Sequence, residues 1–231
     1  MATRLIKYTT PSADHSSYNT DVCLEQNIVE GTDLKLDGQL SNLRRTEVNF
    51  LKHGYSRSIN IVASDFTSSQ ISFVIRGAQN DRDISETITV RKGRDAESAN
   101  IYDKIYSITP TNGEAGDKVR VGLGDKGYFR IVYISSSDFT LTVVNDQKNK
   151  LKKLSVYSAS EDLASTYSEA VANIASQTRN SDLQLIETKT NVEYYRLSSR
   201  DMWLGHFILV YFEKDNPTQS NTTLRYLEKK E

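Results

Sequence analysis

Gly122-Leu123-Gly124-Asp125-Lys126-Gly127 satisfies the G-x-G-x-x-G spacing that cradles a pyrophosphate, and it follows a predicted strand, Lys118 to Leu123. That chemistry requires the loop to open a helix whose N-terminus receives the phosphates. Here Tyr128-Phe129-Arg130-Ile131-Val132-Tyr133-Ile134 continues in strand-forming residues. The glycines are therefore expected to make a hairpin turn, using their freedom at positive φ. Asn80-Asp81-Arg82-Asp83 gathers short oxygen-bearing side chains between two predicted strands. No glycine and bidentate glutamate follow to complete a calcium loop, so an Asx-rich turn is expected there. His15, His53 and His206 lie far apart with no ligand at i+4, and no P-loop or G-x-S-x-G motif is present. No catalytic residue, cofactor-binding residue or metal ligand is assigned, and the chain reads as a non-enzyme.

Charge points the same way. Lys+Arg 29 against Asp+Glu 30 leaves a formal charge of -1 over 231 residues, which is not the footprint of a dedicated nucleic-acid binder. The basic run Lys148, Lys150, Lys152 and Lys153 is broken by Asn149 and Leu151 and lacks aromatics, so it reads as a solvated turn marking a boundary. Cys23 stands alone, which removes any intramolecular disulfide or cysteine zinc site. Met1 to Lys7 lacks the apolar core of a signal peptide, and nowhere do eighteen apolar residues run together, so neither export nor membrane spanning is expected. Asn221-Thr222-Thr223 fits a glycosylation acceptor formally and reads as a polar tail.

The elements that would carry any site are mostly strands. Period-2 alternation with β-branched and aromatic enrichment predicts strands at Ile59–Ala63, Gln70–Arg76, Ile84–Arg91, Tyr102–Thr109, Lys118–Leu123, Tyr128–Ile134 and Phe139–Asn145. Ile71, Phe73, Ile75, Ile88, Val90, Ile108, Val119 and Val121 are expected to face inward. Residues 1–55 are polar and irregular, an arm or partial β region with weaker strands at Leu5–Tyr8, Asp21–Leu24 and Glu47–Leu51. Leu163, Tyr167, Val171 and Ile174 follow helical spacing behind an N-cap at Ser160, which predicts one helix over about 161–177. Strands at Leu183–Thr188, Val192–Leu197 and Phe207–Phe212 complete a small α+β domain over 151–231. The reading is thus an N-terminal region (1–55), an antiparallel β-sandwich (56–150) and the α+β domain. Tyr55, Arg57, Ile61, Ser64, Asp65, Phe66 and Thr67 recur with the same spacing at Tyr128, Arg130, Ile134, Ser137, Asp138, Phe139 and Thr140. Recurring strand-to-turn chemistry and duplication explain this echo equally well.

Thirteen tyrosines against seven phenylalanines suit contact surfaces, and they suit strands as well. Tyr194, Tyr195, Trp203 and Tyr211 are the candidate interface residues. As adjacent strand residues, Tyr194 and Tyr195 face opposite sides, one packing inward and one free to meet a partner.

The stretch Ile71 to Asn80, followed by Ile84-Ser85-Glu86-Thr87-Ile88-Thr89-Val90, resembles small Ig-like β modules of tailed-bacteriophage virion proteins. The phrases Ile105 to Pro110 and Ala115 to Gly122 fit the next two positions of such a module. The resemblance covers about residues 59–124. In place of a tight Asp/Asn-Gly hairpin it has Asn80-Asp81-Arg82-Asp83, for which a longer turn is expected. It implies an Ig-like sandwich fold and a structural role in the virion, as capsid decoration or as a neck or tail component. That role implies other virion proteins and copies of itself as partners, with assembly in the host cytoplasm, and brings no catalytic residue. The alternative reading is a glycan-binding or adhesion module, for which a β-sandwich with exposed aromatics is equally suited.

Overall fold

A computed structural model describes residues 3–10, 21–41, 47–79, 82–130, 132–145, 150–160, 184–198, 203–214 and 221–229. Strands make up 69% and helical residues 3%, so the protein is mainly β, with antiparallel sheets in a sandwich-like arrangement. The strands are β1 (Thr3–Thr10), β2 (Cys23–Asn27), β3 (Val48–Asn49), β4 (Tyr55–Asp65), β5 (Gln70–Gln79), β6 (Arg82–Arg91), β7 (Asp95–Glu97) and β8 (Lys104–Pro110). They continue as β9 (Lys118–Phe129), β10 (Val132–Tyr133), β11 (Phe139–Asn145), β12 (Leu151–Ser160), β13 (Gln184–Val192), β14 (Tyr194–Ser198), β15 (His206–Lys214) and β16 (Thr222–Lys229). One 3-10 turn, Phe50–His53, precedes β4. The helix expected over 161–177 lies outside the described residues. No helix among the described residues is long and apolar enough to cross a membrane.

The chain divides into two compact units. The early unit comprises Ala13–Lys52 and Ser56–Asp125, and the late unit Met1–Ser12, His53–Tyr55 and Lys126–Glu231. This departs from the boundaries expected near 55 and 150. Residues 126–150 belong with the C-terminal strands because β11 pairs with both β14 and β16. The first residues belong there too, because β1 pairs with β16 along its whole length, from Thr3↔Lys229 to Thr10↔Thr222. Residues 1–55 are therefore no single arm.

In the early unit one sheet has the order β3-β8-β5-β6. Alternation decides which side is buried: Ile71, Phe73 and Ile75 of β5, Ile88 and Val90 of β6 and Ile108 of β8 all point inward, as expected. Val119 and Val121 of β9 are likewise fully buried. Gln79 pairs with Arg82, which leaves only two residues, Asn80 and Asp81, in the connection. The longer turn expected there is not needed, since the ladder runs unbroken from Gln70↔Arg91 to the hairpin end. In the late unit the order β1-β16-β11-β14 forms one sheet, while β13, β12 and β15 form another, on which β10 also pairs. Phe139, Leu141 and Val143 of β11 and Leu154 and Val156 of β12 are among its buried positions. Burying each such side chain stabilises by about 1.5–3 kcal/mol.

The two units follow one chain path. In the early unit β4 pairs with β7, and β5 lies between β6 and β8. In the late unit β10 pairs with β15, and β11 lies between β14 and β16. The fifth strand of each set is flanked on its far side by a strand from nearer the N-terminus, β3 on β8 and β1 on β16. Every one of these pairings is antiparallel. The late unit differs by the antiparallel pair β12–β13, which lies between β11 and β14 in the sequence. The echoed residues open both copies, and Gly54 and Gly127 extend the echo by one position. Matching topology around a matching phrase favours duplication over recurring turn chemistry.

Candidate functional site

The glycine motif is no turn. Gly122, Gly124 and Gly127 all lie within β9, which runs for 12 residues without a break. The positive φ values among the described glycines belong to others, Gly31, Gly54, Gly93, Gly113, Gly116 and Gly205. The reason glycine stands at 124 is space: a Cβ there would collide with the Ser58 hydroxyl and the Glu97 carboxylate. Glu97 accepts from the Ser58 hydroxyl and from the Asp125 N–H at 2.8 Å, and the buried Arg57 guanidinium donates to the Gly124 carbonyl. Side chains thus fill the space above Gly124.

A second polar cluster lies at Asp117, which is fully buried. Its Oδ1 accepts from the Thr67 N–H at 2.6 Å, the Thr67 hydroxyl at 2.8 Å and the Ser68 N–H at 3.2 Å. Its Oδ2 accepts from the Ser68 hydroxyl at 2.6 Å and the Glu114 N–H at 2.8 Å. Burial alone would raise the carboxyl's pKa. The bonds from Glu114, Ser68 and Thr67 outweigh it and hold the group well below the usual carboxylate range. All of these donors come from two turns of the chain itself, so the cluster clamps the Phe66–Ser68 bend to the Glu114–Asp117 turn.

Other sequence candidates resolve similarly. His53 stacks on Tyr55 with centroids 5.9 Å apart, and His206 meets the edge of Trp203 at 5.8 Å, while His15 lies outside the described residues. Among the described residues no group of three or more His, Cys, Asp or Glu side chains could hold a metal ion. Cys23 is buried, and burial, with Asp37 adding to it, pushes its thiol far above the ordinary range. Leu151, Lys152 and Lys153 begin β12, which corrects the reading of this lysine run as a solvated turn. Alternation within the strand buries Leu151 and leaves Lys152 outside. Thr222 and Thr223 form no polar tail. Both are buried in β16, where Thr222 donates to Asn145 at 2.8 Å and Thr223 bonds Thr9 at 3.1 Å.

Of the four candidate interface residues, the late unit buries three. Tyr195, Trp203 and Tyr211 are 2%, 6% and 6% exposed, so they are core residues in this chain. Tyr195 shows why: Lys189 lies over its ring at 5.4 Å, and burial followed by the nearby Glu187 charge pushes its hydroxyl up to about 12. Tyr194, on the opposite face of β14, is 56% exposed. Sequence reasoning missed the position that joins it. Leu5 of β1 stands directly opposite Leu227 of β16, and the two are 64% and 40% exposed. β1 also ends its sheet, so its outer backbone groups have no strand partner among the described residues. The strand is held from within by its ladder to β16 and by Tyr8, which packs where a Cβ of Gly54 would stand. An ordered edge strand that carries exposed apolar side chains offers backbone groups with which another strand can pair.

No family model matches the chain, and no curated protein matches it. Among solved structures, the crystal structure of PBSX exported protein XepA is similar over 98% of this chain and 85% of that one, at 8% identity and a TM-score of 0.22.

Proposed function

We propose that the protein is a non-enzymatic structural component of a tailed-phage virion, a capsid decoration or a neck or tail part, working through protein–protein contacts. The observation that supports it is the β1 edge. Eight ordered residues end a sheet, with Leu5 and Leu227 exposed beside them. Such an edge is costly for a free monomer, because it invites pairing, and useful to a subunit that adds strand to strand or seats on a lattice of copies. The resemblance of residues 59–124 to virion modules adds the phage context.

Mass spectrometry of particles purified from the source of this sequence is the test. Stoichiometric recovery of the protein with capsid, neck or tail proteins is expected. Its absence from particles, together with selective binding on a glycan array, would replace this reading with the adhesion one.

A further inference from the structure

The outward face of the β1-β16-β11-β14 sheet carries charge that the fold does not require. Lys7 stands opposite Arg225, Arg225 opposite Thr142, and Thr142 opposite Arg196. Three cations therefore lie in one line across four strands, and all three are exposed. With strands about 4.8 Å apart, the line spans roughly 14 Å. Like charges directly opposite on one face destabilise a sheet. Among the described residues no carboxylate pairs with any of the three. The sheet's ion pairs lie elsewhere, Arg4 with the buried Glu228 on the inner face and Lys229 with Asp138 at the strand end.

The early unit provides an internal control, because the same chain path builds the equivalent sheet there. Its outward row Ser85–Arg76–Ser107 holds one guanidinium between two hydroxyls, and the next row, Thr87–Val74–Thr109, holds none. Nothing in the shared topology calls for a second or third cation.

We propose that this face docks an acidic protein surface, one that sets carboxylates beside apolar side chains. Charge complementarity supplies the first half of the argument. The rows flanking the cations supply the second. Leu5 and Leu227 lie on one side, and Val144 and Tyr194 on the other, so the stripe is framed by apolar contact area. A protein interface pairs an apolar core with complementary charge in this way. A single-stranded nucleic acid needs successive aromatic platforms for its bases. Tyr194 is the one outward aromatic among the described residues of this face. The inference rests on the proposed function and names the chemistry of the partner in it.

The test measures fluorescence anisotropy of the full chain with a labelled ten-residue peptide alternating Glu and Leu, against an all-Glu peptide, a dT20 oligonucleotide and heparin. The alternating peptide is expected to bind at least tenfold tighter than the all-Glu peptide and tighter than the other two. The double variant Arg196→Glu/Arg225→Glu, with far-UV circular dichroism unchanged, is expected to lose at least tenfold of that affinity. Leu5→Ser is expected to narrow the gap between the two peptides. Equal affinity for the two peptides, tighter binding of dT20 or heparin, no binding of any probe, or full affinity in a folded double variant overturns the proposal. Its failure is separable from that of the virion reading. A protein present in particles that binds no acidic peptide refutes the docking face alone, and a peptide-binding protein absent from particles refutes the virion role alone.

Discussion

Asp117→Asn probes the clamp between the Phe66–Ser68 bend and the Glu114–Asp117 turn. The substitution keeps shape and removes one acceptor oxygen. The best placement keeps the amide oxygen where Oδ1 accepts from Thr67 and Ser68. The new NH2 then meets the Glu114 N–H, which lay 2.8 Å from Oδ2, and the Ser68 hydroxyl, which can rotate to accept. One part-buried donor loses its partner, and the remaining bonds lose their charge assistance. A bond to a charged group contributes about 1.5–3 kcal/mol, so the total cost is about 2–4 kcal/mol. At roughly 2–4 °C per kcal/mol for a chain of this size, Tm should fall by about 5–15 °C. The pH dependence has a definite sign. A carboxyl held below its unfolded value contributes stability that is fully present above about pH 4 and is lost as pH falls further. Thermal melts by far-UV circular dichroism should therefore show a gap between wild type and variant that is constant from pH 7 to about 5 and narrows below 4. A variant within about 0.5 kcal/mol of wild type at pH 7, or a gap that widens in acid, refutes the reasoning.

Three other outcomes are expected. Gly124→Ala should destabilise by about 1–3 kcal/mol in urea titrations, through the collision with Ser58 and Glu97, while calorimetry detects no dinucleotide affinity for wild type or variant. Cys23, buried and with its thiol pushed up, should resist iodoacetamide at pH 8 in the native protein and react at the rate of a free thiol in urea, so rapid native labelling would contradict its placement. Tyr195→Ala should cost about 3–5 kcal/mol in the same titrations and Tyr194→Ala less than about 0.5, and a reversed order would mean that the two faces of β14 are misassigned.

The strands were legible wherever side-chain alternation was clean. β11 coincides with the predicted Phe139–Asn145, and the eight inward positions of the early unit follow from period 2 alone. β12 and β16 were missed, although Leu154, Val156, Leu224 and Tyr226 are buried in them, because each strand opens on residues that read as loop or tail. Leu151 lies among lysines, and the hydroxyls of the buried Thr222 and Thr223 find partners in Asn145 and Thr9, which lie far away in the sequence. The run through β9 was misread for a related reason, since glycine signals either positive φ or crowding and only the neighbours Ser58 and Glu97 distinguish them. Among the aromatic candidates composition cannot separate surface from core: Tyr195, Trp203 and Tyr211 lie inside, and Tyr194 outside. Leu5 and Leu227 became a pair only through a register between the two ends of the chain.

The pairing of Thr3 with Lys229 also dictates a timetable. The two residues are 226 positions apart (229 minus 3), so β1 leaves the ribosome long before its partner exists. At roughly 5–20 residues per second, the wait is on the order of 10–45 s. Once Asp125 has been made, about halfway through that wait, the early unit has every strand it needs, while the late unit still lacks its last ladder. A nascent β1 is then an unmatched strand carrying Leu5, open to pairing with the β1 of a neighbouring polysome. Codons that slow translation between β12 and β15 would lengthen that exposure, and a chaperone that covers the first ten residues would shorten it.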